Sequence, residues 1–519
     1  MIPGVFKKLI PVFLLACIAM PSAQTQPPFE VQEATIAQIH AALMAKRITC
    51  RGLVEQYLRR IEAFDKNGPA INAIVVTNPK ALEEAEAKDR RPANSLMPSL
   101  HCIPMLVKDN FETIGLQSAN GSLSLQGFVS DKDAFQVKRI KDAGAIVIAK
   151  TNMAEWAFSP VETINSILPG YTRNPYALDR VTAGSSGGTA AGVAASYATV
   201  GLGSDTGNSI RGPSSHQSLV GIRSTMGLTS RAGVFPLNLL ADIAGPMART
   251  VEDAVAVFQV VVGSDPADPV TAAAASHLPQ NYAASLVRDG LKGARIGVLR
   301  FAYERESTDP EIVQVFMRAV EDLKLAGATI IDPGVVDGIG EIRRGQGSGP
   351  CMGFKYDINR FFADHGDKIP MKSLTEVIKS RRFHPSVAQR LEQAEAGPVN
   401  GPESDACKAE MTYRDQVRAA VNKAMDAQKI DAWVYPTWSN TPRLIGDLNT
   451  PGGDNSQFFS PTTGFPAIQV PMGYTRGRLP AGITFFGRAW SEPTLIKYAY
   501  AYEQATHHRR PPESTPPLR

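Results

Sequence analysis

Apolar positions recur at helical spacing over Ala34 to Lys46 and again over Cys50 to Phe64, a pattern that predicts an N-terminal pair of helices. Thr49 is placed as the N-cap of the second helix and Gly68 as its stop. Short apolar runs follow at Ile71 to Val76, Ile103 to Val107, Ala145 to Ala149 and Ala198 to Leu202, each of a length that suits a buried strand. Between them, Ala134 to Ala143 and Gly188 to Tyr197 read as helices. Later strands are expected at Arg295 to Leu299, Ala328 to Ile331, Ala432 to Tyr435, Ala467 to Val470 and Ile483 to Phe486. Such alternation argues for an α/β fold with a substantially parallel sheet and helices on both faces. No long linker, repeat or low-complexity tract precedes the Pro-rich end at Arg509 to Arg519, so residues 24–519 are expected to form one large unit.

The first residues follow a different logic. Lys7-Lys8 precedes an apolar run from Leu9 to Met20, and Pro21-Ser22-Ala23-Gln24 follows, the three regions of a secretory signal. Residues 1–23 are therefore expected to be a signal peptide cleaved near Ala23, with the protein exported to the periplasm or the medium. The run is shorter than the roughly 20 residues a membrane-spanning helix needs, so no integral span is expected. Leu14-Leu15-Ala16-Cys17 also resembles a lipoprotein cleavage box, which would put a lipid on Cys17. Cleavage near Ala23 leaves Cys50, Cys102, Cys351 and Cys407, whose wide spacing defines no disulfide framework, although an exported location permits bonds. Cys102 is expected to be a small core residue rather than a nucleophile.

Composition narrows the partners. The 54 basic and 50 acidic side chains of the 519 residues leave a formal charge of +4, too small and too dispersed for a nucleic-acid footprint. No Walker-type phosphate loop, H-E-x-x-H or paired C-x-x-C occurs, so no nucleotide, structural zinc or other cofactor is expected.

The chemistry concentrates in Ala183 to Arg211, where two serine-bearing glycine turns, Gly184-Ser185-Ser186-Gly187-Gly188 and Gly207-Asn208-Ser209, flank a helix of small residues. Glycines allow unusual dihedrals, so each turn can leave a hydroxyl and several amide N–H groups facing a substrate. Upstream, Lys108 ends the apolar run Ile103-Pro104-Met105-Leu106-Val107. A lysine in that setting either pairs with a carboxylate, Asp109 being adjacent, or has its pKa depressed until it can act as a base near neutrality. The first turn also satisfies G-x-S-x-G, a nucleophile elbow with Ser186 as nucleophile, and a Ser-His-Asp esterase would then recruit His384, His507 or His508. All three histidines lie in polar or basic runs expected to be solvated.

With these motifs in this order, followed by Gly245-Pro246-Met247-Ala248-Arg249, the chain resembles the amidase signature family. The run Ser491 to Gln504 is similar to the bacterial peptide amidase branch, whereas residues from about 265 to 460 carry little recognisable signal. The resemblance implies one large mixed sheet covered by helices and a Ser-Ser-Lys triad acting on a small-molecule or peptide amide. Ser209 then corresponds to the nucleophile, Ser185 to a bridging serine preceded by a cis peptide bond, and Lys108 to the terminal base. Backbone N–H groups of Thr206, Gly207, Asn208 and Ser209 correspond to the oxyanion hole. Asn208 stands where the family usually has glycine; if that position takes positive φ, Asn tolerates it best, and if the hole is spoiled the chain would bind amides without turnover. Cys102 likewise replaces a usual glycine.

Elementary chemistry reaches the same division of labour. Amide hydrolysis needs an activated nucleophile, a stabiliser for the oxyanion and a proton for the leaving amine. A neutral Lys108 can draw a proton from Ser185 as Ser185 draws one from Ser209, because a hydroxyl both donates and accepts. Asp205 and Arg211 are expected to brace the nucleophile turn. Trp156 and Phe158, directly after a strand, are candidate walls of the substrate pocket, with core packing beneath the site as their alternative.

Overall fold

The computed structural model describes residues 1–2, 4, 29–91, 96–344, 351, 353–397 and 401–518. The apolar run of the expected leader, the cleavage position at Ala23 and Cys17 lie outside these described residues.

The N-terminal helices form at Ile36–Met44 and Cys50–Ile61. Thr35 and Gln38 make a reciprocal capping box on the first, and the Thr49 hydroxyl accepts from the Gly52 N–H on the second, satisfying donors that a helix start leaves free. The second helix runs on through a π turn at Glu62–Lys66 and stops before Gly68, whose φ of +53° no L side chain adopts comfortably.

Among the described residues thirteen strands follow in chain order: β1 (Ile74–Thr77), β2 (Pro104–Lys108), β3 (Ile146–Thr151), β4 (Arg173–Asn174), β5 (Ala177–Val181), β6 (Val200–Asp205), β7 (Val220–Arg223), β8 (Ile243–Ala248), β9 (Arg295–Val298), β10 (Thr329–Ile331), β11 (Ala432–Pro436), β12 (Ala467–Thr475) and β13 (Leu479–Phe486). β4 and β5 make a small hairpin, and the other eleven form one sheet in the order β1-β3-β2-β6-β8-β7-β12-β13-β11-β9-β10. β3-β2-β6 and β11-β9-β10 are parallel blocks. From β6 through β8, β7, β12 and β13 to β11 every pairing is antiparallel, as is β1 on β3. The sheet is therefore mixed, not substantially parallel as strand–helix alternation suggested. Part of the difference arises at β7 and β8, which the apolar pattern did not single out: Gly221 and Arg223 interrupt the apolar run of the first, and Gly245 and Pro246 that of the second. The rest comes from strands expected in the sequence that pair antiparallel, β12 with β13, β13 with β11 and β1 with β3.

Helices cover the sheet, among them Phe135–Asp142, Gly187–Ala194, Val251–Val261, Pro310–Leu325, Asp405–Gln428 and Glu492–Thr506. Three more, Phe354–His365, Leu374–Ser380 and Ala388–Glu395, occupy the stretch of weak sequence signal. Their apolar faces make a second core with Phe128, Trp156, Phe158 and Phe235, separate from the main one along the sheet. The Pro-rich end is not a solvated tail: Arg60 donates to the carbonyls of Thr515 and Pro516, and Arg509 pairs with Glu33 at 2.7 Å. Among the described residues no helix is long and apolar enough to cross a membrane.

Cys50 is bonded to Cys102 and Cys351 to Cys407. Cys102 is thus buried, as expected, but as half of a disulfide rather than a free thiol. It joins the start of the second helix to the residue that leads into β2, closing a separation of 52 residues. A native bridge over a loop of that size stabilises a fold by about 2–5 kcal/mol, chiefly by restricting the unfolded chain. The Cys50→Ser/Cys102→Ser variant is expected to melt several degrees lower than the parent in a thermal scan without reductant, and added reductant is expected to narrow the gap between the two.

Candidate active site

Parallel pairing of β2 with β6 brings Val107 opposite Leu202, so Lys108 and the end of β6 emerge on the same edge of the sheet. The carboxyl ends of parallel strands are where open α/β sheets bind ligands. Gly184-Ser185-Ser186 leads into the helix Gly187–Ala194 at that edge, and Gly207-Asn208-Ser209 follows β6 there. Small residues let these segments close up. A side chain on Gly184 would strike the carbonyl oxygens of Ser159 and Glu162, and one on Gly203 would come within 2.9 Å of Ser186 Oγ. None of Gly184, Gly187, Gly188 or Gly207 takes positive φ. The glycines of both turns serve close approach rather than unusual dihedrals.

Lys108 is wholly buried, and its Nζ donates to Ser185 Oγ at 2.7 Å and to Ser204 Oγ at 2.8 Å. Asn110 Nδ2 donates to the same Ser204 hydroxyl at 3.0 Å. The Gly184–Ser185 peptide bond is cis. Burial pulls the Lys108 ammonium down to about 7, against the opposing attraction of Asp205 and Asp242. The adjacent Asp109, which sequence alone offered as a partner, turns elsewhere and accepts from the Ala119 and Gly121 N–H groups.

Ser209 lies next to the first serine turn: the Ser186 N–H donates to the Ser209 carbonyl at 3.3 Å, and Ser209 lines a cavity of about 450 Å³. Thr206, Gly207 and Asn208 line the same cavity. Among the described residues the N–H groups of Gly207, Asn208 and Ser209 have no protein acceptor. Asn208 stays out of the left-handed region, so no glycine is required there, and its amide packs against Gly212. Thr206 is held by its hydroxyl, which donates to Asp242 Oδ1 at 2.6 Å.

Asp205 and Arg211 brace the turn, with a third member that sequence reasoning missed. Arg211 Nε and Arg223 Nη1 each lie 3.1 Å from the Asp205 carboxylate, and the Ile210 N–H donates to it at 3.1 Å. Burial alone would raise the Asp205 pKa, but the two guanidiniums hold it down to about 2. Arg211 also donates to the carbonyls of Gly207 and Ser456, and Arg223 to those of Asp205 and Ala241, so the loop is pinned from both sides.

The pocket expectation divides. Phe158 lines the cavity, whereas Trp156 is wholly buried behind it against Phe354. Trp156 is a core residue and not a wall. Sequence reasoning also missed Ser204, Asn110, Asp242, Arg390, Arg414 and Gln457. Ser204 and Asn110 sit within two residues of recognised motif positions, while the others come from distant segments with no local signature.

The elbow alternative fails on geometry. Ser186 is wholly buried, and its Oγ donates to the Ser204 carbonyl at 3.2 Å, with no imidazole in contact among the described residues. His384 bonds to Ser386, and His508 to Asp322. His507 ends the helix Glu492–Thr506, and among the described residues it makes no hydrogen bond to Ser186.

Residues 52–496 match the family model described as Amidase. A probable amidase of Arabidopsis thaliana is 35% identical over 93% of this chain and 92% of its own length. A glutamyl-tRNA(Gln) amidotransferase subunit of Moorella thermoacetica is 32% identical over 93% and 99%. Among solved structures, native peptide amidase from Stenotrophomonas maltophilia superposes with a TM-score of 0.80 at 36% identity, covering 95% of this chain and 99% of that one. An amidase family protein of Bacillus anthracis gives 0.81 at 30%, covering 93% of each. A family model that matches residues 52–496, with relatives of this identity over nearly the whole chain, places the protein in the amidase family.

Proposed function

We propose that the protein hydrolyses the C–N bond of a carboxamide through an acyl-Ser209 intermediate. The observation that carries this reading is the 2.7 Å contact between the buried Lys108 Nζ and Ser185 Oγ. With the amine neutral, the contact reverses its sense: the Ser185 O–H donates to the lone pair on Nζ, while an N–H of the same amine still serves Ser204. Ser185 then takes the Ser209 proton as Ser209 Oγ attacks the carbonyl carbon. Negative charge collects on the former carbonyl oxygen, where the N–H groups of Gly207, Asn208 and Ser209 stand unengaged. Collapse expels the amine, which takes a proton returned through Ser185. Water attacks the acyl-enzyme with the same relay as base, frees the acid and restores Ser209.

Export is part of the proposal. It rests on the Lys7-Lys8 and Leu9 to Met20 pattern together with two disulfides, which persist in oxidising compartments. An exported chain hydrolyses amides rather than feeding ammonia to a tRNA-bound partner.

Ammonia release from a panel of primary amides, peptide amides and anilides tests the activity. Ser209→Ala is expected to reduce kcat/KM on the best substrate by at least about 10⁴-fold, and Lys108→Met by about 10³-fold, with both variants folded by circular dichroism. Near-parental rates in either variant would refute the assignment. The acidity of Lys108 sets a second expectation. Its neutral form dominates above pH 7, so kcat/KM is expected to fall about tenfold per unit as pH drops below about 7 and to level off above it. A rate that is flat from pH 5 to pH 8 would rule out Lys108 as the base.

A further inference from the structure

The cavity at Ser209 carries an asymmetry of charge. Two guanidiniums, Arg390 and Arg414, line it, and among the described residues no carboxylate does. Acidic groups from the surrounding elements are already engaged. Asp242 accepts from Thr206 and from the N–H groups of Leu237 and Asn238, Asp454 accepts from Gln457, and Glu410 lies 3.4 Å from Arg414. Arg414 is buried and largely spent, giving Nη2 to the carbonyls of Leu240 and Pro461, although its Nε has no partner.

Arg390 differs. It sits on the helix Ala388–Glu395, exposed at the mouth, and has no carboxylate partner among the described residues. Its guanidinium is held in place rather than swinging free: the carbon lies 4.8 Å from the centre of the Phe158 ring, and Nη1 donates to the Phe158 carbonyl. Stacking on an aromatic face fixes the plane of the fork and lowers the entropy lost when a carboxylate docks. A positioned, unpaired guanidinium beside an apolar wall matches an anionic group several bonds from the scissile carbonyl.

We infer that the substrates are amides bearing a carboxylate, which Arg390 recognises at the mouth of the cavity. This rests on the reading of Ser209 as nucleophile for the direction in which the amide points, but its test does not need turnover. Binding of matched peptide amides, N-acetyl-Glu-Phe-amide and N-acetyl-Gln-Phe-amide, to the Ser209→Ala protein is measured by calorimetry at low salt. The glutamate amide is expected to bind about three- to tenfold tighter, the range for a partly exposed, geometrically favourable ion pair. Arg390→Gln is expected to abolish the difference, Arg390→Lys to keep part of it, and 0.5 M salt to shrink it. Equal binding of the two peptides, no binding of either, or a preference that survives Arg390→Gln would overturn the inference. Should the preference hold while Ser209-containing protein releases no ammonia from either peptide, the hydrolytic reading falls and the charge selectivity stands.

Discussion

An amine buried at the end of β2 is the constraint around which the site is arranged. Removing an ammonium from water is unfavourable, and a protein can relieve that either with a carboxylate partner or by letting the proton go. The second course requires that no free carboxylate stand close by. Here the nearest ones are committed elsewhere: Asp205 lies between Arg211 and Arg223, and Asp242 accepts from Thr206 and two backbone N–H groups. What Lys108 meets instead is two hydroxyls, Ser185 and Ser204, which accept a hydrogen bond without fixing a charge. The Asp205 clamp therefore has two consequences at once. It rigidifies the turn that carries Ser209, and it limits the pull of a buried anion on the lysine.

Sheet topology explains how residues so far apart in sequence share one edge. The parallel block β3-β2-β6 sends Lys108 and the turn that carries Ser209 out of the same side, and the helix Gly187–Ala194 can lie over it only because glycines and alanines let it approach closely. The antiparallel centre has a different task. β8 brings Asp242 beside Thr206 at one end, and Arg249 follows it at the other, donating to the carbonyls of Val193, Ala198 and Ala34. Thus the Gly245 to Arg249 motif, which has no part in the proposed chemistry, ties the helix of the first serine turn and the N-terminal region to the strand that supports Thr206.

How much of this could be read from the chain depends on the kind of signal. Strands bounded by apolar runs and helices with hydroxyl caps are legible, Thr49 among them, because local periodicity and capping chemistry decide them. Lys108, at the end of an apolar run, and Ser185 and Ser209, in glycine turns, stand out as candidates, and the structure sets Lys108 Nζ against Ser185 Oγ. Strands β7 and β8 are not legible, since Gly221 and Arg223 in the one and Gly245 and Pro246 in the other interrupt the apolar run that marks the equally buried β2 and β3. The bond at Cys102 is hidden for a related reason: its partner Cys50 lies on a helix that only the folded structure sets against the start of β2. Trp156 and Phe158 are inseparable in sequence, yet a positive φ at Trp156 turns one ring into the core while the other faces the cavity. Arg390 has no signature at all, because its meaning lies in what is missing around it.

The three helices between Phe354 and Glu395 join these threads. Their apolar faces complete a core with Trp156 and Phe158, so they cannot be detached from the region beside the site without exposing that core. Their outer residues, by contrast, are exposed, Arg390 among them. Phe158 belongs to both worlds, packing against Phe354 on one side and carrying the Arg390 guanidinium on the other. A layer built this way can change its rim by single substitutions while the packing beneath, and the lysine and serines on the sheet edge, stay as they are. The rim that holds Arg390 is thereby physically separate from the sheet edge that holds Lys108 and Ser185.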